Sequence, residues 1–201
     1  MKNSIFVLCL LSLALPRAAH AKGILPSSNE VSISTATSHI PVLIGEKVPE
    51  NLVVLDSSGT KRTLLSYKAA IEVLVVEFLS PRCETDQTQG PDLRRFYESY
   101  KNWHVAFVAV NLGGTAGAGD LQEQFAKAGM KIPVVQDPSG TLRHILKVKA
   151  TPEILIMDED GFLMYRGPMS RETRPAINAV IGHTDPVPHP EPAMSKGCPV
   201  L

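Results

Sequence analysis

The sequence predicts an α/β fold, a mixed central sheet flanked by helices on both faces, and three observations predict it. Near-continuous apolar runs of strand length mark strands that are covered on both sides. They alternate with polar segments whose apolar residues recur at helical spacing. The last two strands are separated by a tight turn rather than a helix, so an antiparallel hairpin completes a sheet begun by strand–helix–strand units.

In chain order, Leu52–Leu55 is a short strand stopped by the turn signal Asp56-Ser-Ser-Gly59. Ile71–Leu79 is a strand buried on both faces. A helix is expected from Thr85 to about Lys101, because Leu93, Phe96, Tyr97 and Tyr100 fall along one side of it. Trp103–Asn111 is a second buried strand, with Trp103 as core or edge packing. The loop Gly113-Gly-Thr-Ala-Gly-Ala-Gly119 lacks both the Gly-Lys-Ser/Thr ending and the dinucleotide spacing of phosphate-binding loops, and reads as a flexible connection into a helix over 120–129. There follow a strand (Val134–Gln136), a helix (Thr141–Lys147), a strand (Glu153–Met157), the turn Asp158–Gly161, a strand (Phe162–Arg166, with Tyr165 packed inside or at an edge) and a helix over 171–181.

The two ends read differently. Residues 1–21 have the form of a secretory signal: Lys2, an apolar stretch from Ile5 to Leu15, and Ala19-His-Ala21 as a cleavage site. The apolar stretch is shorter than the roughly 18 residues of a membrane span, and no later segment competes with it. Residues 22–42 read as a leader, 43–182 as the folded domain and 183–201 as a flexible tail in which Pro186, Pro188, Pro190, Pro192 and Pro199 favour extended chain. Loss of the signal removes Lys2 and Arg17 and leaves 18 basic against 20 acidic residues, a formal charge of −2, with no basic patch for nucleic acid or anionic membrane. An exported location, periplasmic or extracellular, is the expectation.

Without Cys9 of the signal, two cysteines remain, Cys83 and Cys198. In an exported chain, under oxidising conditions, two thiols within reach tend to pair. Cys83 stands where the apolar strand gives way to a helix. There, unpaired backbone N–H groups and the helix dipole favour a thiolate, and such sites lower a thiol from its usual value near 8.5 to roughly 3.5–7.5. Cys83 is therefore the candidate nucleophile.

With these residues in place, the chain resembles the thioredoxin fold, in its redoxin and peroxiredoxin-like (AhpC/TSA-type) branch. Val76-Glu-Phe-Leu-Ser-Pro-Arg-Cys83, Ala150-Thr-Pro-Glu153 and the entry Ile44-Gly-Glu-Lys-Val-Pro49 carry the resemblance over about residues 43–182. It implies that Cys83 is the attacking cysteine, Pro91 the helix-kinking proline, Thr151-Pro152 a cis peptide facing the nucleophile, and Glu77 a buried acid beneath it. Ser80, three residues before Cys83, matches the serine or threonine of peroxiredoxins, whereas Val76 replaces their upstream proline. Asp86 stands where a thioredoxin has its second cysteine, so local Cys-x-x-Cys chemistry is excluded.

The Gly197-Cys198 ending is similar to that of some exported redoxin-domain proteins, and implies that Cys198 resolves what Cys83 forms. The 17 steps from Ile181 to Cys198 reach roughly 50–60 Å when extended, against a core radius of gyration of roughly 14 Å. The expected substrates are a peroxide or a protein or small-molecule disulfide, with an exported thiol reductant as second partner and no cofactor. Glu77 is the expected proton carrier, with Thr151, Pro152 and Ser80 facing the substrate. Arg82 and Arg166 are expected to be solvated, and no role is assigned to His104 or His144. Two other functions are compatible with the sequence: copper binding or delivery using His183, His189, Met194 and Cys198, and a degenerate fold retained for binding.

Overall fold

The computed structural model describes residues 41–68, 73–113, 117–170, 173–182, 184 and 197–200. The signal segment 1–21, nearly all of the leader and most of the tail lie outside the described residues. Among those described, no helix is long and apolar enough to cross a membrane.

The chain runs β1 (Val53–Leu55), β2 (Lys61–Thr63), a 3-10 turn (Leu64–Tyr67), β3 (Val73–Leu79), α1 (Glu84–Tyr100), β4 (Val105–Asn111), α2 (Ala118–Lys127), β5 (Val134–Gln136), α3 (Thr141–Ile145), β6 (Ala150–Thr151), β7 (Glu153–Met157), β8 (Leu163–Gly167), α4 (Thr173–Ile181) and β9 (Cys198–Pro199). Seven strands form one mixed sheet in the order β2-β1-β5-β4-β3-β7-β8, and β6 pairs with β9 in a small second sheet. The parallel pairs are β3–β4 and β4–β5, and β3–β7 and β7–β8 are antiparallel. This is the mixed α/β architecture expected from the sequence.

The central strand, β3, organises two cores. Successive side chains of a strand point to opposite faces. Val73, Val75 and Leu79 accordingly join Phe96, Tyr97 and Tyr100 of α1, Leu121 and Phe125 of α2, and Ile177 and Val180 of α4. Leu74, Val76 and Phe78 pack on the other side with Leu64, with Leu142 and Ile145 of α3, and with Val42 and Val48. Full burial of each such side chain contributes about 1.5–3 kcal/mol, so both faces are needed to hold the sheet. Within the first core, Phe107 meets both Phe96 and Tyr97 edge-on, with ring centroids 5.9 and 5.3 Å apart.

The structure corrects several expectations at the edges of elements. Trp103 is 62% exposed, and the strand begins at Val105. Tyr165, by contrast, is fully buried. Val42, assigned to the leader, belongs to the core and donates its N–H to Ile145 O at 2.9 Å. The short strands β2, β6 and β9 were not readable from periodicity, because two or three residues hold too little pattern. Where extended, unpacked chain is expected at the tail's end, Cys198–Pro199 is a strand. Residues 71–72 and 171–172 of the expected elements lie outside the described residues.

Candidate active site

The site is built at the C-terminal end of β3. Its face toward α1 reads Val73, Val75, Glu77, Leu79, so the alternation carries a carboxyl into an otherwise apolar row. Glu77 lies between Ala109 of β4 and Ile154 of β7 and is only 4% exposed. After Leu79 the chain turns through Ser80-Pro-Arg82, with Cys83 N–H donating to Ser80 O at 2.8 Å. Cys83 is the N-cap of α1, the strand-to-helix position expected from the sequence, and is buried in the Cys83–Cys198 form. Pro91 lies inside that helix, where it removes one backbone donor.

Cys83 is bonded to Cys198 across 115 residues of sequence, with Cα atoms 5.7 Å apart, inside the usual range for a disulfide. Its Sγ lies 3.5 Å from the carbonyl oxygen of Thr151, and the Thr151–Pro152 peptide is cis. Thr151 and Pro152 are both buried. The structure thus brings together Cys83, Cys198, Thr151 and Pro152, with Glu77 and Ser80 on the strand and turn that carry Cys83. Ser80 takes part through its backbone: the carbonyl accepts from Cys83 and the N–H donates to Asp86 Oδ2 at 2.5 Å.

Asp86 is the residue that sequence reasoning undervalued. Treated only as a missing cysteine, it caps the turn from the third position of α1 by accepting from Ser80 N–H, and the Thr151 hydroxyl favours its ionised form. An acidic residue three positions into a helix whose N-cap carries no hydroxyl or carboxyl was the available signal. Asp86 and Glu77 also share an apolar cleft of about 160 Å³ between α1 and α2, lined by Leu93, Leu121, Phe125 and Gln89. Glu77 Oε2, Asp86 Oδ1 and Gln89 Oε1 are buried without a hydrogen-bond partner among the described residues.

Burial raises the Glu77 carboxyl to about 8, and the charge of Asp86 adds to the shift. Burial likewise raises Asp86 to about 6, against the Ser80 N–H and the Thr151 hydroxyl, which favour its ionised form. Near neutral pH the pair therefore holds a proton, mainly on Glu77, beside the turn that carries Cys83.

Arg82 is exposed. Arg166 departs from expectation: it is mostly buried, with Nη2 2.9 Å from Glu153 Oε1 and donating to Leu146 O at 2.7 Å. The ion pair and the carbonyl satisfy its charge in place, so it is tied to the β7–β8 hairpin rather than to the thiol. Two glycines of the Gly113–Gly119 loop are fixed by close approach to the site. A Cβ on Gly113 would lie 2.8 Å from Pro81 Cδ, and one on Gly117 would lie 3.0 Å from Pro81 Cγ at a φ of +95°. Of the tail residues considered as copper ligands, His183, His189 and Met194 lie outside the described residues, and Cys198 is taken by the disulfide.

Comparison with known proteins agrees with this fold. The thiol-disulfide oxidoreductase ResA of Geobacillus kaustophilus is 24% identical over 139 residues, 68% of this chain and 76% of that protein. Among solved structures, the hypothetical protein SMc02350 of Sinorhizobium meliloti superposes with a TM-score of 0.65 at 21% identity, covering 79% of this chain and 94% of that one. A Chlorobium tepidum chain assigned as the thiol:disulfide interchange protein DsbE gives 0.57 at 23% identity, covering 70% and 99%. These superpositions show a shared thioredoxin fold. The AhpC/TSA family matches residues 44–166, a span that takes in Cys83, Asp86, Thr151 and Pro152 and leaves Cys198 outside. The chain belongs to the AhpC/TSA family.

Proposed function

We propose that the protein is an exported thiol–disulfide oxidoreductase whose working pair is Cys83 and Cys198. The observation that carries this reading is their disulfide, formed between the helix N-cap beside the cis-proline and a tail cysteine 115 residues away. In one direction, Cys83 thiolate attacks one sulfur of a partner disulfide. A mixed disulfide forms, and the other partner sulfur leaves with the bonding electron pair and takes up a proton. Cys198 thiolate then attacks Cys83 Sγ, releasing the second partner thiol and closing the Cys83–Cys198 bond. An external dithiol reverses the sequence and restores both thiols. The proton held by Glu77 and Asp86 lies beside the turn where a thiolate is made or released, which suits that pair to general acid–base duty. Disulfide exchange is favoured over peroxide reduction by the likeness to the thiol-disulfide oxidoreductase ResA. Export rests on the signal pattern of residues 1–21.

The test is to reduce the chain lacking residues 1–21, treat separate samples with glutathione disulfide and with hydrogen peroxide, and follow the cysteines by non-reducing peptide mass spectrometry. We expect glutathione disulfide to restore the Cys83–Cys198 link faster than an equal concentration of peroxide. Cys198→Ser should stop at glutathione on Cys83, and Cys83→Ser should leave exchange at the background rate. Unchanged exchange in Cys83→Ser would overturn the proposal, and a link formed by peroxide alone would reassign the protein as a peroxidase.

A further inference from the structure

The cleft between α1 and α2 joins an apolar wall to acceptors that have no donor. Leu93 of α1, Leu121 and Phe125 of α2, and Met130 beyond it line the wall, and all four are buried. The same lining holds three buried side-chain oxygens without a hydrogen-bond partner among the described residues: Glu77 Oε2, Asp86 Oδ1 and Gln89 Oε1. Glu77 is 4% exposed, and its neighbours across the sheet, Ala109 and Ile154, carry no side-chain donor. Among the described residues, no lysine, arginine or histidine lines the cleft. A buried acceptor left unpaired forfeits the hydrogen bonds it had in water, and the loss is greatest for a carboxylate. One proton on the Glu77–Asp86 pair supplies a single O–H for three acceptors.

Such a lining is complemented by a group that donates in several directions and carries positive charge. A primary ammonium has three N–H donors and no acceptor, so it can meet three oxygens at once, and its charge strengthens each bond to a carboxylate. An anion would bring only further acceptors, and a neutral alcohol brings one donor. The size of the cleft, about 160 Å³, sets the rest of the ligand, since an apolar cavity of about 150 Å³ accepts benzene. We infer that the α1–α2 cleft is a binding site for a small primary amine, its ammonium seated among Glu77, Asp86 and Gln89 and its apolar body, the size of one six-membered ring, packed between Leu93, Leu121 and Phe125. Gln124, in the same lining, is exposed, so the cleft reaches solvent on the α2 side. Neither Cys83 nor Cys198 lines the cleft, and the inference does not rest on the exchange reading.

The test is isothermal titration calorimetry of the oxidised protein near neutral pH with three ligands that share one ring. Benzylamine carries the charge and three N–H donors. N,N-dimethylbenzylamine keeps the charge with a single N–H, and benzyl alcohol is neutral. Benzylamine is expected to fill one site per chain, and each of the others to bind at least about tenfold more weakly, as loss of charge-assisted hydrogen bonds implies. Glu77→Gln replaces a carboxyl with an uncharged amide of the same shape, and should weaken benzylamine by about tenfold while changing benzyl alcohol little. The ranking of the three ligands is read on the unaltered protein, so it stands however the variant folds. Equal affinities for the three would overturn the site, because ring burial alone would then account for binding. Benzylamine binding that a natively folded Glu77→Gln leaves unchanged would overturn it by placing the amine elsewhere, and so would the absence of heat from all three. None of these results bears on disulfide exchange, which the Cys83 and Cys198 variants test separately.

Discussion

The two faces of β3 are built from one strand and end differently. On one face, Leu74, Val76 and Phe78 meet α3 and the 3-10 turn in a row that is apolar throughout. On the other, the same alternation places Glu77 among Val73, Val75 and Leu79, and the sheet and α1 leave a cleft that exposes its carboxyl to Asp86. A sheet of this size needs sealed apolar packing to stand, and a carboxyl without a paired cation costs stability when ionised. The closed face supplies the stability, and the open face holds the buried carboxyls that the proposed exchange would use beside Cys83.

The strongest way to break this division is to damage the closed face. Phe78 is fully buried, and Phe78→Ala leaves a cavity worth about 3–5 kcal/mol of lost stability. If the faces are separate in function, the folded fraction of this variant should still form the Cys83–Cys198 disulfide with glutathione at the wild-type rate under conditions where it remains native. Urea denaturation gives the first quantity and the exchange assay the second. A parallel loss of exchange rate in the native variant would show that the closed face also shapes the site.

The next effect in size is a pH dependence confined to the open face. Glu77 has its folded-state value raised to about 8, from an ordinary 4.5. Below the ordinary value both folded and unfolded chains carry the proton, and no penalty applies. As the pH rises, the unfolded chain releases it while the folded chain retains it, so stability falls until the folded-state value is passed. Glu77→Gln removes this loss. We expect the variant to gain on the wild type steadily between about pH 4.5 and 8, by on the order of 3–5 kcal/mol in all, in denaturation measured across that range. Asp86 contributes a slope of the same sign, ending near pH 6, that remains in the variant. Parallel stability curves for the two proteins would mean that Glu77 ionises freely in the fold.

Much of this contrast was legible in advance, and what was not has a physical cause. The chain order of the main elements, the buried run ending at Leu79 and Cys83 at the helix start follow from local pattern, while the cis peptide at Pro152 was implied by the family resemblance. Glu77 was expected as a buried acid only through the family resemblance, from its place six residues before Cys83. Asp86 was read by what it is not, because its position in the turn depends on Ser80 and Thr151, which lie six residues before it and 65 after it. The tail was harder still: proline content suggests extended chain, but extension does not reveal which edge an extended segment pairs with. Only the folded chain brings β9 to β6.

The smallest effects test how the opening on the active-site face is kept. Gly113 and Gly119 flank one loop, yet their surroundings differ. A methyl on Gly113 would lie 2.8 Å from Pro81 Cδ and 3.1 Å from Asn111 Oδ1, whereas one on Gly119, inside α2, meets nothing within 4 Å. Proline's ring cannot swing aside as a long side chain does, so Gly113→Ala should cost about 1–3 kcal/mol, the range for overpacking. It should also move the Pro81 turn and lower the exchange rate of Cys83. Gly119→Ala restricts the unfolded chain without a native clash and should gain about 0.5–1 kcal/mol with the exchange rate unchanged. Thermal denaturation of both variants, with the glutathione disulfide assay on each, separates the outcomes. Equal stability for the two variants would mean that Pro81 yields to the added methyl, and that the loop glycines do not set the position of the active-site turn.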